Sequence, residues 1–320
     1  MTIMLFEKQI TNTFRNGFIR RCDDNGTAFY FSAADFPGLQ QEAFSFPSSC
    51  GHRLQGYFYH YDNPISGRLI VFDHGFGGGH RAYMKEIEML CRHGYLVFSY
   101  DHTGCMESGG ENIRGFSQSL RDLDDCLTAL KTLDRCKALD ISVMGHSWGG
   151  FSTANICALH PEVSHIVVLS GFVSVELLVN QFFGGILKGY RKAILALDPN
   201  PDHLRHNAVD SLSDTDAKVL LVYSDNDKMV NKSVHFDALK AGLSHKDNVR
   251  FLLLENKGHN PNYTEDAVKY LGEYTSALTK EQNKLKTDAQ KQTFVTSWDW
   301  VRMTAQDETV WAEIFKTLDA

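Results

Sequence analysis

The feature that most constrains the fold is a serine held between two glycines, directly after a short apolar strand. The stretch runs Ile141-Ser-Val-Met-Gly145-His-Ser147-Trp-Gly149 and continues into a predicted helix. In this strand–turn–helix context the pattern G-x-S-x-G is typical of a nucleophile elbow, which exposes the serine at the edge of a sheet. Glycine at the flanking positions lets the neighbouring backbone approach closely. Ser147 is therefore the candidate nucleophile.

Around this stretch, apolar runs alternate with amphipathic segments. Strands are predicted near 68–72, 95–100, 141–146, 165–170, 218–224 and 249–255, with helices between them. This alternation predicts a mostly parallel, twisted sheet with helices on both faces. Two antiparallel hairpins are predicted ahead of it, one from Phe14 to Ser32 around Asn25-Gly26 and one from Glu42 to Tyr61 at an edge of the sheet.

Two segments do not fit this alternation. The strand near 165–170 is followed by about 40 residues before the next strand, more than a simple crossover needs. We predict that 172–212 is a small helical lid within a single domain, 1–320. The segment 280–320 is predicted to be a helical extension, with Asp307 as the N-cap of its last helix. The apolar stripe of that helix must be covered by the domain or by a partner subunit, which would give a homodimer through the C-terminal helices.

The composition limits the function classes. The chain has 320 residues, 43% hydrophobic and 22% charged, with a net charge of −7. These values predict a sizeable core and disfavour a nucleic-acid binder. No apolar run is long enough for a membrane span, and the first residues do not resemble a secretory signal. The seven cysteines form no C-x-x-C pair, so we expect reduced thiols, no metal and a cytoplasmic location.

A serine nucleophile needs a base to take its proton and an acid to orient that base. On a sheet of this kind both are expected in loops after later strands, in the chain order Ser, Asp, His. His259 follows the strand near 249–255 and is the candidate base. Two carboxylates follow the strand near 218–224: Asp227 is the candidate acid, and Asp225 is its rival.

The negatively charged oxygen that forms during acyl attack needs preorganised N–H donors. The candidates are the backbone N–H of Trp148, directly after the serine, and that of Phe76, in a glycine-rich loop after the strand near 68–72. His146 and His74 are interpreted as structural, the first because adjacent side chains on a tight turn point apart, and the second because it precedes the donor loop. Three further histidines are interpreted as residues of loops or helix ends: His80, His102 and His160.

Together these motifs resemble the α/β-hydrolase superfamily over about 42–278. The matching pieces are His74-Gly75, Asp101-x-x-Gly-x-x-x-Ser-Gly109, Gly145-x-Ser-x-Gly149, Asp227 with Val230, and Gly258-His259. Within the superfamily the chain is most similar to the serine-aminopeptidase and monoacylglycerol-lipase-like branch. In the acid loop of that family a Gly lies three residues before the catalytic Asp. Ser224 takes the glycine position here, and the spacing selects Asp227.

The resemblance implies an α/β-hydrolase fold and a cofactor-free serine hydrolase that acts on a small-molecule acyl substrate. A carboxylic ester, or a thioester, is the expected substrate. Three alternatives stay open: an aminopeptidase or amidase, an acyltransferase on the same triad, and a binding protein that keeps the fold without catalysis.

Overall fold

The structure is a computed structural model that describes residues 2–62, 64 and 67–320, with side chains from Phe6 onward. Its centre is one sheet of eight strands. The strands are β1 (Gln40–Pro47), β2 (Arg53–His60), β3 (Arg68–Asp73), β4 (Leu96–Tyr100), β5 (Asp140–His146), β6 (His165–Leu169), β7 (Lys218–Ser224) and β8 (Val249–Leu254).

Most neighbouring strands run parallel. The order across the sheet is β1-β2-β4-β3-β5-β6-β7-β8. β2 pairs antiparallel with both β1 and β4, whereas the other neighbouring pairs are parallel. β1 and β2 form the hairpin that was predicted for 42–61, with β1 beginning two residues earlier, at Gln40, so that prediction and its place at the edge of the sheet are confirmed.

Helices cover both faces of the sheet. In the described residues they are α1 (Thr2–Phe18), α2 (Met84–Arg92), α3 (Gln118–Thr132), α4 (Trp148–Asn155), α5 (Val175–Phe182), α6 (Arg191–Leu195), α7 (Pro201–Leu204), α8 (Ala208–Ser213), α9 (Phe236–Leu243), α10 (Glu265–Glu281), α11 (Asp288–Thr296), α12 (Trp300–Met303) and α13 (Glu308–Leu318). None of these helices combines the length and hydrophobicity that crossing a membrane would need.

The alternation of side chains along each strand divides the core in two. In β3, Leu69 and Val71 face the core that contains α3 and α4, whereas Ile70 and Phe72 face the core that contains α2 and α13. Successive side chains of a strand point to opposite faces, so a central strand buried on both sides reads as one continuous apolar run. The predicted parallel sheet with helices on both faces is confirmed.

The first predicted hairpin, from Phe14 to Ser32, is wrong. The first part of that segment belongs to α1, which ends at Phe18. The pattern did not exclude a helix, because apolar side chains four residues apart also suit one face of a helix. The predicted Asn25-Gly26 turn does bend the chain, with Gly26 at φ +74°. Its N–H donates to Asp24 Oδ1 at 2.7 Å, so the turn is closed locally, and the flanking residues pair into no hairpin.

The residues between β6 and β7 form α5 to α8. Two of these helices begin at N-caps: Ser174 Oγ accepts from Leu177 N at 3.2 Å, and Asn207 Oδ1 accepts from Val209 N at 2.9 Å. The helical character predicted for 172–212 is therefore confirmed, while its role as a lid stays a prediction.

The C-terminal residues add α11 to α13 after the long helix α10. Asp307 is the N-cap of α13, as predicted, and its Oδ1 accepts from Thr309 N at 3.0 Å. The helix packs on β6 and β7 of its own chain. Trp311 is 1% exposed, and its Nε1 donates to Gln306 Oε1 at 2.8 Å. The domain itself thus covers the apolar stripe of α13, and a homodimer through the C-terminal helices stays a prediction.

Trp311→Ala is expected to lower the free energy of unfolding by about 3–5 kcal/mol, because it empties a buried site between α13 and the sheet. Val301→Ala is the control: this side chain is 60% exposed, and its truncation should change stability by less than about 0.5 kcal/mol. Urea unfolding followed by circular dichroism measures both. A loss below about 1 kcal/mol for Trp311→Ala, or one that disappears at high protein concentration, would contradict docking of α13 on its own domain.

Candidate active site

The serine between the glycines makes a sharp turn at the end of β5. β5 ends at His146 and α4 begins at Trp148, so the turn falls on Ser147, which has φ +57° and ψ −111°. A non-glycine residue with positive φ is strained, and the surrounding structure must hold it. The backbone N–H of Ser147 donates to Leu169 O of β6 at 2.9 Å. The sheet thus fixes the turn that presents the serine.

The flanking glycines are required by close backbone contacts. A Cβ on Gly145 would overlap Thr153 and the backbone of Gly149, and a Cβ on Gly149 would overlap the carbonyl group of Asp73 at the end of β3. The start of α4 therefore lies directly against the strand that leads into the glycine-rich loop with Phe76.

Side chains from the loops after β5, β7 and β8 meet at this turn. Ser147 Oγ lies 2.8 Å from His259 Nε2, and His259 Nδ1 lies 2.7 Å from Asp227 Oδ2. With Nδ1–H donating to the carboxylate, Nε2 is left to accept the serine proton. The carboxyl ends of parallel strands lie at one edge of a sheet, which brings together loops that are distant in sequence. The candidate Ser, His and Asp thus form one hydrogen-bonded chain.

The two rival carboxylates have different surroundings. Asp227 is 4% exposed, and its Oδ1 accepts from the backbone N–H groups of Met229 at 2.8 Å and Val230 at 3.0 Å. Burial alone would raise the pKa of Asp227, but His259 and these N–H donors outweigh burial and lower the pKa below its usual range. Asp225 is exposed, and its Oδ1 accepts from a backbone N–H at 2.9 Å. Of the two, Asp227 is the one in contact with the imidazole.

The two predicted oxyanion donors lie on adjoining segments. The rings of Phe76 and Trp148 are 5.9 Å apart in edge-to-face contact. Among the described residues, neither backbone N–H has a hydrogen-bond acceptor. His74 braces the donor loop, because its Nδ1 donates to Gly75 O at 2.7 Å and its Nε2 accepts from His102 N at 2.9 Å. Burial, helped by the nearby His102, lowers the pKa of His74 to about 3, so the ring is neutral.

His146 joins two loops of the site. Its Nε2 donates to His259 O at 2.7 Å, and its Nδ1 lies 2.8 Å from the hydroxyl of Tyr83. The same hydroxyl accepts from Gly75 N at 3.1 Å. Burial, followed by the effect of His259, lowers the pKa of His146 to about 3. A neutral His146 therefore connects the loop of the candidate base to the loop of Phe76, which is a structural position.

A charged group that was not predicted from the sequence lies buried behind the elbow. His102 is fully buried between Asp73 and Asp122, with its ring nitrogens 3.0 and 3.3 Å from the carboxylate oxygens. Burial alone would lower its pKa, but the two carboxylates outweigh burial and raise the pKa of His102 to about 10, so the ring is a cation. Ser152 of α4 also donates to Asp73. The network ties β3, α4 and the loop after β4 together. The sequence contained one signal for this buried network: an Asp lies directly before His-Gly, and an Asp-His pair follows the next strand.

Two other histidines also have carboxylate partners. His80 is buried in the donor loop, and its backbone N and its Nδ1 both lie 2.8 Å from Asp101 Oδ1. Burial alone would raise the pKa of Asp101, but His80 outweighs burial and lowers it to about 2. His160 follows α4, with Nε2 2.8 Å from Asp124 Oδ1. Both histidines have structural positions, one in a loop and one at a helix end, as predicted. Only their carboxylate partners were not predicted from the sequence.

The arrangement contains the parts that acyl transfer needs. It offers a hydroxyl nucleophile, an imidazole that can take its proton, a carboxylate that orients the imidazole and N–H groups for a developing negative charge. Within 2–62, 64 and 67–320, no three His, Cys, Asp or Glu side chains are grouped as a metal site would require.

Comparisons with known structures identify the fold. The esterase Pf2001 of Pyrococcus furiosus matches with a TM-score of 0.61 and 16% identity, over 83% of this chain and 99% of that chain. Est1E from Butyrivibrio proteoclasticus, with ferulic acid bound, gives 0.55 and 19% identity over 76% and 100%. The hydrolase GrgF from Penicillium sp. gives 0.51 and 17% over 77% and 98%. At such identities the similarity shows the fold alone, which is that of the α/β-hydrolases.

A family model adds a match in sequence. The model described as serine aminopeptidase, S33, matches residues 66–250, more than half of the chain. A comparison with curated protein sequences gives no significant match. The chain belongs to the serine aminopeptidase S33 family of the α/β-hydrolase superfamily, and it is a hydrolase. The fold and the family that the motifs predicted are confirmed.

Gly149→Ala is expected to destabilise the protein by about 1–3 kcal/mol, because the added methyl group would overlap Asp73 and push α4 away from β3. Gly272→Ala on the exposed face of α10 is the matched control. A Cβ there meets nothing within 4 Å, and this exchange should raise stability by about 0.5–1 kcal/mol. Thermal unfolding measures both variants. Similar effects of the two substitutions would contradict the close approach of α4 to β3.

Proposed function

We propose that the protein is a serine hydrolase that cleaves a carboxylic ester, or a thioester, of a small to medium-sized substrate. The observation that carries this proposal is the hydrogen-bonded chain from Ser147 Oγ through His259 to Asp227, at 2.8 and 2.7 Å. In this proposal Ser147 is the nucleophile, His259 the general base and Asp227 the orienting acid. The backbone N–H groups of Phe76 and Trp148 form the oxyanion hole, and no cofactor takes part.

The first half of the reaction forms an acyl-enzyme. Ser147 Oγ attacks the carbonyl carbon while His259 Nε2 takes the hydroxyl proton, and the carbonyl oxygen becomes an oxyanion held by the two N–H donors. The carboxylate of Asp227 stabilises the imidazolium. When the bond from the carbonyl carbon to the alcohol oxygen breaks, His259 returns the proton to that oxygen and the alcohol leaves.

The second half releases the acid. His259 Nε2 takes a proton from a water molecule, whose oxygen attacks the acyl carbon and again forms an oxyanion. The bond to Ser147 Oγ then breaks, and the proton on His259 goes to the serine oxygen. The carboxylic acid leaves, and the hydrogen-bonded chain is ready for another cycle.

Two observations favour an ester or a thioester of an uncharged acyl group over an aminoacyl amide, whose acyl part carries a charged amino group. The wall beside the proposed oxyanion donors is aromatic, with Phe76 against Trp148 at 5.9 Å and against Phe116 at 6.2 Å between ring centroids. An apolar wall suits an acyl group without charge. One of the similar structures, Pf2001, is also described as an esterase. The family description favours an aminopeptidase as the second candidate, since the same triad could attack an amide.

We further propose a single domain, 1–320, in which 172–212 is a lid over the site and 280–320 an extension that closes one face of the sheet. The packing of α13 on β6 and β7 supports the second assignment. The free state of all seven thiols fits a reducing cytoplasmic compartment.

A fluorophosphonate probe is expected to label the wild-type protein, and Ser147→Ala should abolish labelling because it removes the attacking oxygen. Hydrolysis of nitrophenyl esters should fall at least about 10⁴-fold in the same variant. Ser276→Ala is the matched control, since Ser276 is exposed on α10, and it should react like the wild type.

Four results would count against this assignment. No labelling of folded wild-type protein would favour a binding protein without catalysis. Undiminished labelling of Ser147→Ala would place the nucleophile elsewhere. Faster turnover of aminoacyl nitroanilides than of nitrophenyl esters would favour the aminopeptidase, and transfer of the acyl group to an added alcohol in preference to water would favour the acyltransferase.

A further inference from the structure

Two of the cysteines lie opposite each other where the segment after α1 runs beside the loop after β4. The N–H of Cys22 donates to Gly104 O at 2.8 Å, and the carbonyl oxygen of Cys22 accepts from Met106 N at 3.0 Å. These two bonds make Cys22 and Cys105 the paired residues of an isolated parallel bridge. Side chains of paired residues project to the same side of the two segments, so the two thiols face each other.

The geometry of this pair suits a disulfide. Backbone segments paired in this way lie about 4.8 Å apart, within the range of about 4.4–6.8 Å between the Cα atoms of disulfide-bonded cysteines. The thiol of Cys105 also donates a hydrogen bond to the sulfur of Cys22. Both thiols are free in this structure. An S–S bond can therefore form between them without moving the two backbones apart or together.

The two thiols differ in reactivity. The hydrogen bond from Cys105 lowers the pKa of Cys22, and the positive charge of Arg20 acts in the same direction, while burial opposes both. The pKa of Cys105 is raised well above its usual range by the hydrogen bond that it donates and by burial. Cys22 is 3% exposed and Cys105 is fully buried. Because the thiolate is the nucleophilic form, Cys22 is the thiol that meets an oxidant first.

A polar cavity of about 230 Å³ adjoins the pair. Its lining includes Asp23 and Met106, the residues that directly follow Cys22 and Cys105 in the chain. Tyr30 lines it as well. Burial raises the pKa of Tyr30 to about 12, and the negative charge of a Cys22 thiolate adds to this rise, so the Cys22 sulfur lies near the cavity. The cavity thus gives a small molecule a path toward Cys22.

The charge of this cavity discriminates between oxidants. Four carboxylates line it against one guanidinium, and all but one of these charged side chains are exposed at its rim: Asp23, Asp24, Asp101, Glu107 and Arg81. A cleft lined mainly by carboxylates repels an anionic oxidant such as oxidised glutathione. Hydrogen peroxide is uncharged and only slightly larger than water, so it is the oxidant that the cavity admits.

We propose that Cys22 and Cys105 are a peroxide-sensitive pair that closes into a disulfide between the segment after α1 and the loop after β4. The Cys22 thiolate attacks one oxygen of hydrogen peroxide, the O–O bond breaks, and Cys22 becomes a sulfenic acid while hydroxide leaves. The sulfur of Cys105 then attacks the sulfur of Cys22, and the S–OH bond breaks. The thiol proton of Cys105 leaves with that hydroxyl group as water.

The reaction is balanced with peroxide as the only co-reactant. The two sulfurs together lose two electrons, and hydrogen peroxide gains them. The hydroxide from the first step takes up the proton that Cys22 lost on ionisation, so two thiols and one peroxide give one disulfide and two water molecules. The inference does not depend on the hydrolase activity proposed above.

The disulfide would add a covalent link to a contact that already exists. The guanidinium of Arg21 donates to the carbonyl oxygens of Ser108 at 3.0 Å and Gly110 at 2.8 Å. Further back along α1, Phe14 is 8% exposed and lies 6.0 Å from Phe116 between ring centroids. The helix and the segment after it are therefore docked in the reduced protein. Closing the S–S bond should restrict the unfolded chain more than the folded one, which stabilises the fold.

The test is oxidation of the folded wild-type protein by a small excess of hydrogen peroxide. Thiol titration after denaturation should show the loss of two of the seven thiols. Digestion before aspartates separates Cys22 from Cys50, and mass spectrometry without reduction should show the Cys22 peptide joined to the Cys105 peptide. Tm should rise by about 5–10 °C, because the bond closes a loop of roughly 80 residues in the unfolded chain. Dithiothreitol should reverse both changes.

Cys22→Ser and Cys105→Ser should each abolish the cross-link and the rise in Tm. Cys50→Ser is the matched control. Cys50 is only partly buried, whereas the other six cysteines are buried, and its removal should leave the cross-link and the rise in Tm as in the wild type. Cys105→Ser changes a fully buried side chain, so the wild-type digest and Cys22→Ser decide the matter where that variant fails to fold.

The role of the cavity has its own test. Oxidised glutathione should form the cross-link several-fold faster at about 0.5 M salt than at about 0.02 M salt, because salt screens the carboxylates. The rate with hydrogen peroxide should not change with salt. A glutathione rate that is independent of salt would overturn the role of the cavity charge.

Three results would overturn the disulfide itself. The first is oxidation of Cys22 to a sulfinic acid with no cross-link. The second is a cross-link that joins Cys22 or Cys105 to another cysteine. The third is a correct cross-link that leaves Tm unchanged or lowers it, because the pair would then have to distort the fold in order to close.

Discussion

The structure depends on the close approach of α4 to β3 behind the nucleophile turn. This approach is geometrically possible only because Gly149 carries no side chain against Asp73 and Gly145 none against Thr153. It leaves Ser147 at a positive φ, a conformation that costs on the order of 1–3 kcal/mol. The central parallel strands hold the strained residue through bonds such as that from its N–H to Leu169 O. The strained backbone conformation therefore lies at Ser147 itself, the residue that must expose its hydroxyl at the edge of the sheet.

The buried histidines around this turn differ in charge because their partners differ. His102 lies between two carboxylates and stays cationic, with its pKa raised to about 10 even though burial opposes this. Among the residues that the structure describes, no carboxylate contacts the ring of His74 or His146, and burial lowers the pKa of each to about 3. A neutral His146 next to His259 does not repel the imidazolium that the proposed reaction forms, while the carboxylate of Asp227 stabilises it. The charges are thus arranged around the candidate base and not only within the triad.

Much of the fold could be predicted from the sequence because its signals are local. The strands from β3 to β8 are short apolar runs, and the elbow has a fixed spacing of two glycines around Ser147. The candidate partners Asp227 and His259 follow from their places after known strands. The hairpin predicted for 14–32 is wrong because an Asn-Gly turn also forms where the flanking residues do not pair as strands. The ion pairs of His102 and the packing of Phe14 on Phe116 depend on side chains far apart in the chain, which no local pattern reports.

In the proposed mechanism Asp227 orients His259 toward Ser147, and a comparison of two Asp→Asn variants tests this role. In Asp227→Asn the amide replaces the carboxylate next to His259 Nδ1, so kcat/KM for a nitrophenyl ester should fall about 10³- to 10⁴-fold. In Asp225→Asn the oxygen that accepts from Asn256 N at 2.9 Å is retained, and kcat/KM should stay within about two-fold of the wild type. A large loss in Asp225→Asn with little change in Asp227→Asn would contradict the role proposed for Asp227.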